Sequence, residues 1–384
     1  MKKLLLPGLL ILLPFYLFSI NISVRIYESD SIKTILLAPQ TGIYLLLADG
    51  KLIDTITTAN VFEIKDKDSL LELRSLKGEL GKFNSIQLKE CRPDCSFNIK
   101  TSLERTIRLY TDNIQISNTG GYLKMINMVE LEHYIAGVVE CEGGYNKSTE
   151  FYKAQAIICR TYALNNLAKH LGEYYELCDA IHCQVYKGMG DIPAITEAVE
   201  STKGIVLADS SKRLVDAAYF SNCGGYTLNS EDVWGRHFTY LRAVKDTFCL
   251  NQLHARWEKL FALQDWNNYL DKKESVLTKT DARGEAYWDS IPEEKRTYLY
   301  DKGYLIPLKD IRLDLNLHST YFEVIKKDNV VTLRGRGNGH RVGFCQEGAM
   351  RMGQLGYTYL QILNFYYHGI QVLNYSALPL QVGY

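Results

Sequence analysis

Residues 127–163, NMVELEHYIAGVVECEGGYNKSTEFYKAQAIICRTYA, predict the central feature of the fold, two helices joined by a short acidic loop. In the first half, apolar residues recur at helical spacing at Leu131, Tyr134, Ile135, Val138 and Val139. Asn127 and Glu130 are placed to cap this helix, as N-cap and N3 partner. The second half begins near Ser148 and Thr149 and is apolar on nearly all sides, which predicts a buried helix.

Three polar residues of the second helix, Lys153, Gln155 and Arg160, lie among its apolar side chains. Because burying a polar group without a partner costs free energy, we expect them to face a polar site. Glu142 lies in the predicted loop, where the dipole of the first helix and a desolvating cleft would both raise its carboxyl pKa. A carboxyl that stays protonated is a general acid, so Glu142 is the candidate catalytic residue. The N-terminus of the second helix opposes this shift, and a solvated loop glutamate is the alternative.

Three blocks of sequence, in this order, resemble the SpoIID/LytB family, the sporulation stage II protein D and amidase-enhancer group of bacterial cell-wall proteins. The first is GVVECEGG followed by EFYKAQAIICRTYAL. The second is AITEAVESTKGIVLADSSKRLVDAAYFSNCGGYT with VWGRHFTYLRAV, and the third is GRGNGHRVGFCQEGAMRMGQLGYTYLQILNFYYHG. The resemblance covers roughly residues 127–244 and 310–371.

The resemblance implies a peptidoglycan lytic transglycosylase fold in which Glu142 is the catalytic glutamate. The candidates for substrate binding and positioning are Gln155, Arg160, Tyr186, Ser221, Gly224, Gly225, His340 and Gln346. A glycine pair after a strand lets the backbone approach a ligand closely, although a structural role is the alternative for every candidate. Trp234 is either a sugar-stacking platform or a core residue. The relatives typically have G-x-G-W-G-H-G followed by Ser-Gln, so this chain departs from the pattern at Asn338, Arg341 and Cys345.

Four residues of zinc-binding type follow the second helix: His170, Cys178, His182 and Cys183. Zinc prefers tetrahedral sites built from cysteine and histidine, and some relatives in the family are associated with zinc at a cluster of this kind. We therefore expect a structural zinc ion here and no cofactor for catalysis. The alternative is a disulfide between Cys178 and Cys183, because nine cysteines in an exported chain favour disulfides.

Two further cysteine pairs are candidates for disulfides. Cys91 and Cys95 lie on a predicted turn, where we expect a local disulfide. Cys223 and Cys249 either pair with each other, which would pin the loop before the two glycines, or remain free. The odd number of cysteines leaves at least one of them unpaired or bound to metal.

The sequence divides into five segments, and their patterns together predict an α+β fold. Residues 1–20 carry two lysines and then a short apolar run interrupted by prolines, which indicates a cleaved signal peptide, with a membrane anchor as the alternative. Residues 21–119 alternate short apolar runs with turn residues and predict an N-terminal antiparallel β domain. The resemblance assigns residues 120–249 and 310–384 to a mixed α/β catalytic core around the buried helix. A helical insertion or accessory lobe, residues 250–309, separates them.

The formal net charge of zero argues against a nucleic-acid partner. The signal-peptide pattern indicates an exported protein of the periplasm or cell envelope. The resemblance implies that it acts on peptidoglycan glycan strands, with a cell-wall amidase as a further partner. The expected reaction is cleavage of MurNAc–GlcNAc bonds to 1,6-anhydromuramic products. The alternative is a non-catalytic, glycan-binding amidase enhancer. The presence of Glu142 favours the enzyme, and the altered glycine-rich loop favours the binding protein.

Overall fold

The computed structural model describes residues 20–274, 276–280, 286 and 289–379 of the 384-residue chain. The predicted signal peptide lies, apart from Ile20, outside the described residues. Within the described part of the chain, no helix is both long and apolar enough to cross a membrane.

The structure contains many short strands and a smaller number of helices. The strands are β1 (Asn21–Ile26), β2 (Thr34–Thr41), β3 (Tyr44–Ala48), β4 (Lys51–Ile56), β5 (Phe62–Lys67), β6 (Leu70–Ser75), β7 (Gly78–Phe83), β8 (Ser85–Glu90), β9 (Ser96–Thr101), β10 (Arg108–Thr111), β11 (Asn113–Thr119), β12 (Tyr122–Glu130), β13 (Leu177–Cys178), β14 (Ile205–Ala208), β15 (Tyr219–Phe220), β16 (Arg256–Ala262), β17 (Tyr298–Asp301), β18 (Tyr304–Pro307), β19 (Phe322–Lys327), β20 (Val330–Arg336), β21 (Phe344–Cys345) and β22 (Gln371–Asn374). The helices are α1 (Leu131–Gly143), α2 (Thr149–Asn165), α3 (Pro193–Ser201), α4 (Ser230–Trp234), α5 (Leu263–Glu274), α6 (Leu308–Asp314), α7 (Gln346–Gln354) and α8 (Tyr359–Tyr366).

Strands β1 to β12 form two antiparallel sheets ahead of the first helix. One sheet has seven strands in the order β13-β1-β12-β11-β8-β3-β4, in which the late strand β13 runs parallel to β1. The other has six strands in the order β10-β9-β2-β5-β6-β7. Alternate side chains along strands such as β3 are buried, because successive residues of a strand face opposite sides of the sheet. The predicted α+β class, with N-terminal antiparallel sheets, is therefore confirmed.

The seven-stranded sheet continues into the helical region. Strand β12 pairs with both β1 and β11 and ends at Glu130, and α1 begins at the next residue. Strand β13 follows α2 in the sequence and returns to the edge of the same sheet beside β1. The sheets and helices therefore share one hydrophobic core.

The N-terminal cap of α1 differs from the predicted one. Glu130 is the N-cap, and its side chain accepts hydrogen bonds from the backbone N–H groups of Glu132 and His133 (2.7 and 3.2 Å). Asn127 lies inside β12, where its amide nitrogen donates to two backbone carbonyls at the turn between β10 and β11. The capping-box prediction was wrong because the strand continues up to Glu130 and holds Asn127 in the core.

The second helix is buried, as predicted. Ser148 caps α2 by accepting a hydrogen bond from the backbone N–H of Phe151 (3.2 Å). The helix packs against α1, α3, α7, α8 and β14, so it lies at the centre of the helical half of the molecule. Lys153, on its partly exposed side, pairs with Glu150 (3.0 Å) rather than with a polar site.

The part of the chain between the paired strands β15 and β21 includes an accessory lobe. Strands β15 and β21 run parallel, with Tyr219 and Phe220 opposite Phe344 and Cys345. The intervening chain forms a three-stranded sheet, β16-β20-β19, which packs with α5 and α6 around a separate small core. That core includes Val331, so the lobe reaches past residue 309.

All nine cysteines belong to the described part of the chain, and none of them is joined in a disulfide. The Cys91–Cys95 disulfide expected from the sequence is therefore not present. Cys95 is buried, and its thiol faces the carbonyl oxygens of Ile43 and Arg92 (3.6 and 3.2 Å), whereas Cys91 is exposed.

Candidate active site

A cleft of about 650 Å³ lies among the C-terminal end of α1, strand β15 and the loop that follows β20. Four of the residues predicted for catalysis or substrate binding line it: Glu142, Ser221, His340 and Gln346. Glu142 and Gln346 are 204 positions apart in the sequence. The fold thus brings residues from three separate sequence blocks to one cleft.

Glu142 lies in the last turn of α1, not in the loop where the sequence pattern placed it, because the helix continues to Gly143 and ends at Gly144. The side chain is half-buried, and its Oε1 accepts a hydrogen bond from the backbone N–H of Val185 (3.1 Å). Burial raises the pKa of the Glu142 carboxyl, while the hydrogen bonds from Val185 and the Tyr219 hydroxyl act in the opposite direction. The net result is a raised pKa, which is what a general acid requires.

A second carboxylate, Asp216, also lines the cleft. Its Oδ1 accepts a hydrogen bond from Nδ2 of Asn165 (3.1 Å) at an exposed position. Glu142, in contrast, is held by neutral donors in a desolvated position, and such surroundings favour the protonated form of a carboxyl.

Gln346, the first residue of α7, supports the backbone beneath Glu142. Its Nε2 donates to the Glu142 carbonyl oxygen (3.2 Å) and lies 3.5 Å from Oε1 of Gln155. Gln155 is fully buried and is not among the residues that line the cleft. Gln346 therefore joins α7 to the end of α1, and Gln155 lies behind it.

Aromatic rings form another part of the cleft wall. The ring centroid of His340 lies 5.3 Å from that of Trp234 and 5.1 Å from that of Phe220. Nε2 of His340 lies 3.1 Å from the Tyr219 carbonyl oxygen, and Nδ1 accepts a hydrogen bond from the backbone N–H of Val342 (3.2 Å). Both contacts suit a neutral imidazole, and burial lowers the pKa of His340 to about 4. His340 therefore supports the wall and does not act as an acid or base near neutral pH.

Ser221 belongs to a polar cluster at the edge of the cleft. Its hydroxyl lies 3.3 Å from Nδ1 of His254, and the same nitrogen lies 2.6 Å from Oε1 of Glu347. In a serine–histidine–carboxylate relay, the serine and the carboxylate contact different ring nitrogens. The shared nitrogen therefore argues against a nucleophilic serine, and the cluster instead orients the Ser221 hydroxyl as a hydrogen-bonding group.

Arg312, from α6 of the accessory lobe, brings a positive charge to the cleft. Its Nε donates to the carbonyl oxygen of Leu317 (3.4 Å), and no carboxylate among the described residues forms an ion pair with it. A guanidinium in this position is suited to an anionic group of a ligand.

Besides Gln155, two further predicted substrate-binding residues lie in the core. Arg160 is fully buried and donates to Glu132 from Nε and Nη2 (2.9 and 2.5 Å), so it neither orients Glu142 nor reaches the cleft. Tyr186 is also fully buried, and its hydroxyl donates to Oδ1 of Asn127 (3.0 Å).

The glycine pair Gly224–Gly225 shapes the loop after β15 and does not line the cleft. Gly224 has a φ of 69°, a region that favours glycine. A Cβ atom at this position would lie 2.7 Å from Cβ of Arg336. The sequence predicted that a ligand would approach the backbone closely here, but the end of strand β20 occupies this position instead.

Comparisons with known proteins identify the family. A family model described as SpoIID, stage II sporulation protein, matches residues 119–208. An uncharacterized protein of Brachyspira hyodysenteriae is 30% identical over 267 residues, which are 66% of this chain and 69% of that protein. Stage II sporulation protein D of Bacillus subtilis is 29% identical over 268 residues, 66% of this chain and 77% of that protein. The chain belongs to the SpoIID/LytB family. The amidase enhancer of Bacillus subtilis, a SpoIID/LytB relative, is 27% identical over 302 residues, 63% of this chain and 40% of the enhancer.

The departures from the SpoIID/LytB pattern have clear structural positions. Asn338 lines the cleft, and its backbone pairs with that of Asn222 (3.0 and 2.7 Å). Arg341 and Cys345 are fully buried. Trp234 supplies an aromatic ring beside His340 and lines the same cleft as Asn338.

The residues predicted to bind zinc converge in this SpoIID/LytB chain. The ligand atoms of His170, Cys178, His182 and Cys183 all lie within 4.8 Å of one another. Nδ1 of His182 lies 3.8 Å from each sulfur, and Nε2 of His170 lies 3.4 Å from Sγ of Cys183. Nδ1 of His170 faces Glu173 (3.1 Å), a partner of the kind that orients zinc-bound histidines. The donor set fits a tetrahedral zinc ion, and the alternative disulfide between Cys178 and Cys183 is not present.

Sequence reasoning missed Tyr219 and Arg312, which line the cleft, and His254, which contacts Ser221 beside it. For Tyr219 a signal existed, because it lies two residues before Ser221 and alternation along a strand puts both on the same side. His254 and Arg312 lie outside the recognised motifs or at their edge, so no local pattern pointed to them.

Proposed function

We propose that this protein is a peptidoglycan lytic transglycosylase that cleaves MurNAc–GlcNAc bonds, with Glu142 as its general acid and base. Membership of the SpoIID/LytB family links the chain to cell-wall processing. The observation that carries the finer proposal is the setting of Glu142, a desolvated carboxyl with a raised pKa that is held by neutral donors in the cleft.

The reaction needs only one carboxyl group. Glu142 donates its proton to the glycosidic oxygen as the bond from that oxygen to C1 of MurNAc breaks. The C6 hydroxyl of the same sugar attacks C1, and the Glu142 carboxylate takes the hydroxyl proton, which restores the acid. Most glycosidases use a second carboxylate to activate water or to attack the sugar. Here an internal hydroxyl already held near C1 replaces it.

Other cleft residues have supporting roles in this proposal. Trp234, 44% exposed, offers a face on which a sugar ring stacks. The Ser221 hydroxyl bonds a sugar hydroxyl, and Arg312 pairs with a carboxylate of the muramyl lactyl group or of a stem peptide.

We also propose that His170, Cys178, His182 and Cys183 hold a structural zinc ion, which supplies no step of the reaction. Cys183 itself lines the cleft, so the ion would fix the chain beside Val185, whose N–H holds Glu142. A cell-wall substrate lies outside the cytoplasm, and the proposed route there is export directed by residues 1–20.

The product test uses the purified chain with intact and with peptide-stripped peptidoglycan, analysed by mass spectrometry. Products ending in 1,6-anhydromuramic acid are the expected result. Products with reducing ends would instead indicate hydrolysis, with Asp216 as the second carboxylate. Glycan co-sedimentation without any product would overturn the enzyme and leave the glycan-binding amidase enhancer.

We expect cleavage to decline as the pH rises through the raised pKa of Glu142, because the ionised carboxylate cannot protonate the leaving oxygen. Tyr219→Phe removes a hydrogen bond that favours the charged form, so the alkaline limb of the kcat/KM profile should move to higher pH. Tyr162→Phe is the control, because Tyr162 also lines the cleft but its hydroxyl donates to the His182 carbonyl. An alkaline limb that stays in place in Tyr219→Phe would contradict this role for Tyr219.

Trp234→Ala is expected to weaken glycan binding about 10-fold, or roughly 1.4 kcal/mol, because a partly exposed stacking ring is lost. Affinity is measured by co-sedimentation with peptide-stripped glycan. Tyr122→Ala is the matched control, since Tyr122 is similarly exposed (39%) but lies on β12, away from the cleft. Equal affinities of the two variants would argue against a stacking platform.

A further inference from the structure

A second group of metal-ligand atoms lies in the core behind the Ser221 loop. It consists of Cys223, Asp246, Cys249 and Cys345, all fully buried, with one ligand atom of each within 4.8 Å of the other three. The Sγ atoms of Cys223 and Cys249 are 3.4 Å apart, and Sγ of Cys223 lies 3.3 Å from Oδ2 of Asp246. A disulfide needs about 2.05 Å between its sulfurs. Ligands of a tetrahedral zinc ion, each about 2.0–2.3 Å from the metal, lie roughly 3.3–3.8 Å apart, which matches the Cys223–Cys249 and Cys223–Asp246 distances.

Asp246 is fully buried and forms no ion pair with any of the described residues. Its oxygens accept hydrogen bonds from the Tyr366 hydroxyl (2.9 Å), the backbone N–H of Phe248 (2.9 Å) and the Cys223 thiol. Burying a carboxylate away from any cation is costly, and carboxylates so placed commonly coordinate metals. The surroundings of Asp246 therefore point to a bound cation.

Neighbouring groups hold the four side chains in the way that metal sites hold their ligands. The backbone N–H of Cys223 lies 3.3 Å from Sγ of Cys345. The Tyr366 hydroxyl fixes one carboxylate oxygen of Asp246. At Gly348, a Cβ atom would lie 2.3 Å from that same oxygen, so only glycine leaves room for the carboxylate.

A buried cation, Arg341, lies near this group. Its Nη2 and Nε donate to the carbonyl oxygens of Glu294 and Tyr226 (2.7 and 3.2 Å), and Nη1 has no hydrogen-bond partner within the described chain. Tyr226 lies three residues after Cys223, so the guanidinium is held beside the loop that carries this ligand. Three thiolates and a carboxylate around a divalent ion leave a net negative charge, and the guanidinium would offset part of it.

We propose that Cys223, Asp246, Cys249 and Cys345 bind one zinc ion, at a site separate from the cluster that contains His170. Three thiolate ligands select zinc over magnesium or calcium, which prefer oxygen. The close spacing of the four ligand atoms suits a single ion. Binding releases the thiol protons to solvent. The proposal depends only on the placement of these four residues and stands apart from the glycan chemistry.

The ion would join three distant parts of the chain: the loop after β15, the turn at residues 246–249 and the start of α7. Two of these parts carry cleft residues, Ser221 and Gln346. Loss of the ion is therefore expected to lower thermal stability and to loosen the cleft at both positions.

Zinc content, measured by mass spectrometry on the purified full-length chain after loading with zinc and removal of the excess, tests the proposal. Cys249→Ser and Asp246→Asn should each hold about one zinc ion less per chain than the parent. Asp246→Asn keeps the side-chain volume, so it provides the answer if Cys249→Ser fails to fold. With Co²⁺ in place of zinc, the thiolate charge-transfer absorption should weaken in Cys345→Ser.

Two control variants locate the effect. Cys95→Ser removes a buried cysteine far from the group and should keep the full zinc content. Cys178→Ser/Cys183→Ser should retain the ion that Cys249→Ser loses. Unchanged zinc content in both Cys249→Ser and Asp246→Asn, or a Cys223–Cys249 disulfide found by peptide mapping of the unreduced protein, would overturn the proposal.

Discussion

Glu142→Gln is expected to lower the rate of glycan cleavage by about 10²–10⁴-fold, the usual contribution of general acid–base catalysis. The amide keeps the size of the side chain but has no proton to donate to the glycosidic oxygen. The rate of formation of 1,6-anhydromuramic products measures the effect. Glycan co-sedimentation should be nearly unchanged, because the variant removes chemistry rather than a binding surface.

The pH dependence of protein stability provides an independent test of the raised pKa of Glu142. Because burial raises its pKa, the folded protein binds that proton more tightly than the unfolded chain does. The protonated Glu142 carboxyl therefore contributes its full stabilisation at a pH below its pKa in the unfolded chain. This stabilisation is lost as the pH rises through its pKa in the folded protein. Glu142→Gln has no carboxylate to ionise, so it does not share this loss of stability. The difference in thermal midpoint, variant minus parent, should therefore become more positive from acidic to neutral pH. A variant that still cleaves glycan, or a midpoint difference that falls with pH, would contradict the general-acid assignment.

Arg160→Met is expected to destabilise the protein by about 3–5 kcal/mol, the cost of removing one partner of a buried ion pair. Glu132 is only 3% exposed and would be left as an uncompensated charge, and the hydrogen bond from Arg160 to the Ile205 carbonyl (3.0 Å) would also be lost. Chemical denaturation measures the change in the free energy of unfolding.

Arg213→Met is the matched control for Arg160. Arg213 pairs with Asp209 (2.7 Å), but its side chain is 76% exposed, so its loss should cost less than about 1 kcal/mol. The double variant Glu132→Met/Arg160→Met should recover much of the lost stability, because no unpaired charge remains. If Arg160→Met lost glycan cleavage while keeping the stability of the parent, Arg160 would have the substrate role that the sequence suggested.

The features that could be predicted from sequence depend on neighbours in the chain. The apolar spacing of α1 and α2 predicted both helices, because packing of one helix face is encoded within a few turns. The capping box formed by Thr358 and Gln361 at the start of α8 is local in the same way, since its two hydrogen bonds join residues three positions apart.

The features that could not be predicted depend on pairing between distant residues. The sequence showed that Arg160 needed a polar partner but not that Glu132, 28 positions earlier, provides it. Glu142 was recognised, whereas the residues around its side chain, Val185 and Tyr219, come from strands and loops whose meeting point no local pattern defines. The end of α1 was misplaced because the apolar spacing ends at Val139, whereas the helix continues through Glu142 to Gly143.

The position of the accessory lobe has an evolutionary consequence. The lobe enters and leaves the main body between β15 and β21, two strands that are paired with each other, and it has its own core. The entropic cost of closing such a connection rises by only about 0.6 kcal/mol for each doubling of its length. Descendants can therefore enlarge, trim or exchange the lobe while Glu142, Tyr219 and Gln346 keep their places. Because Arg312 belongs to the lobe and lines the cleft, changes in the lobe can alter the charge of the cleft wall without changing the residues around Glu142.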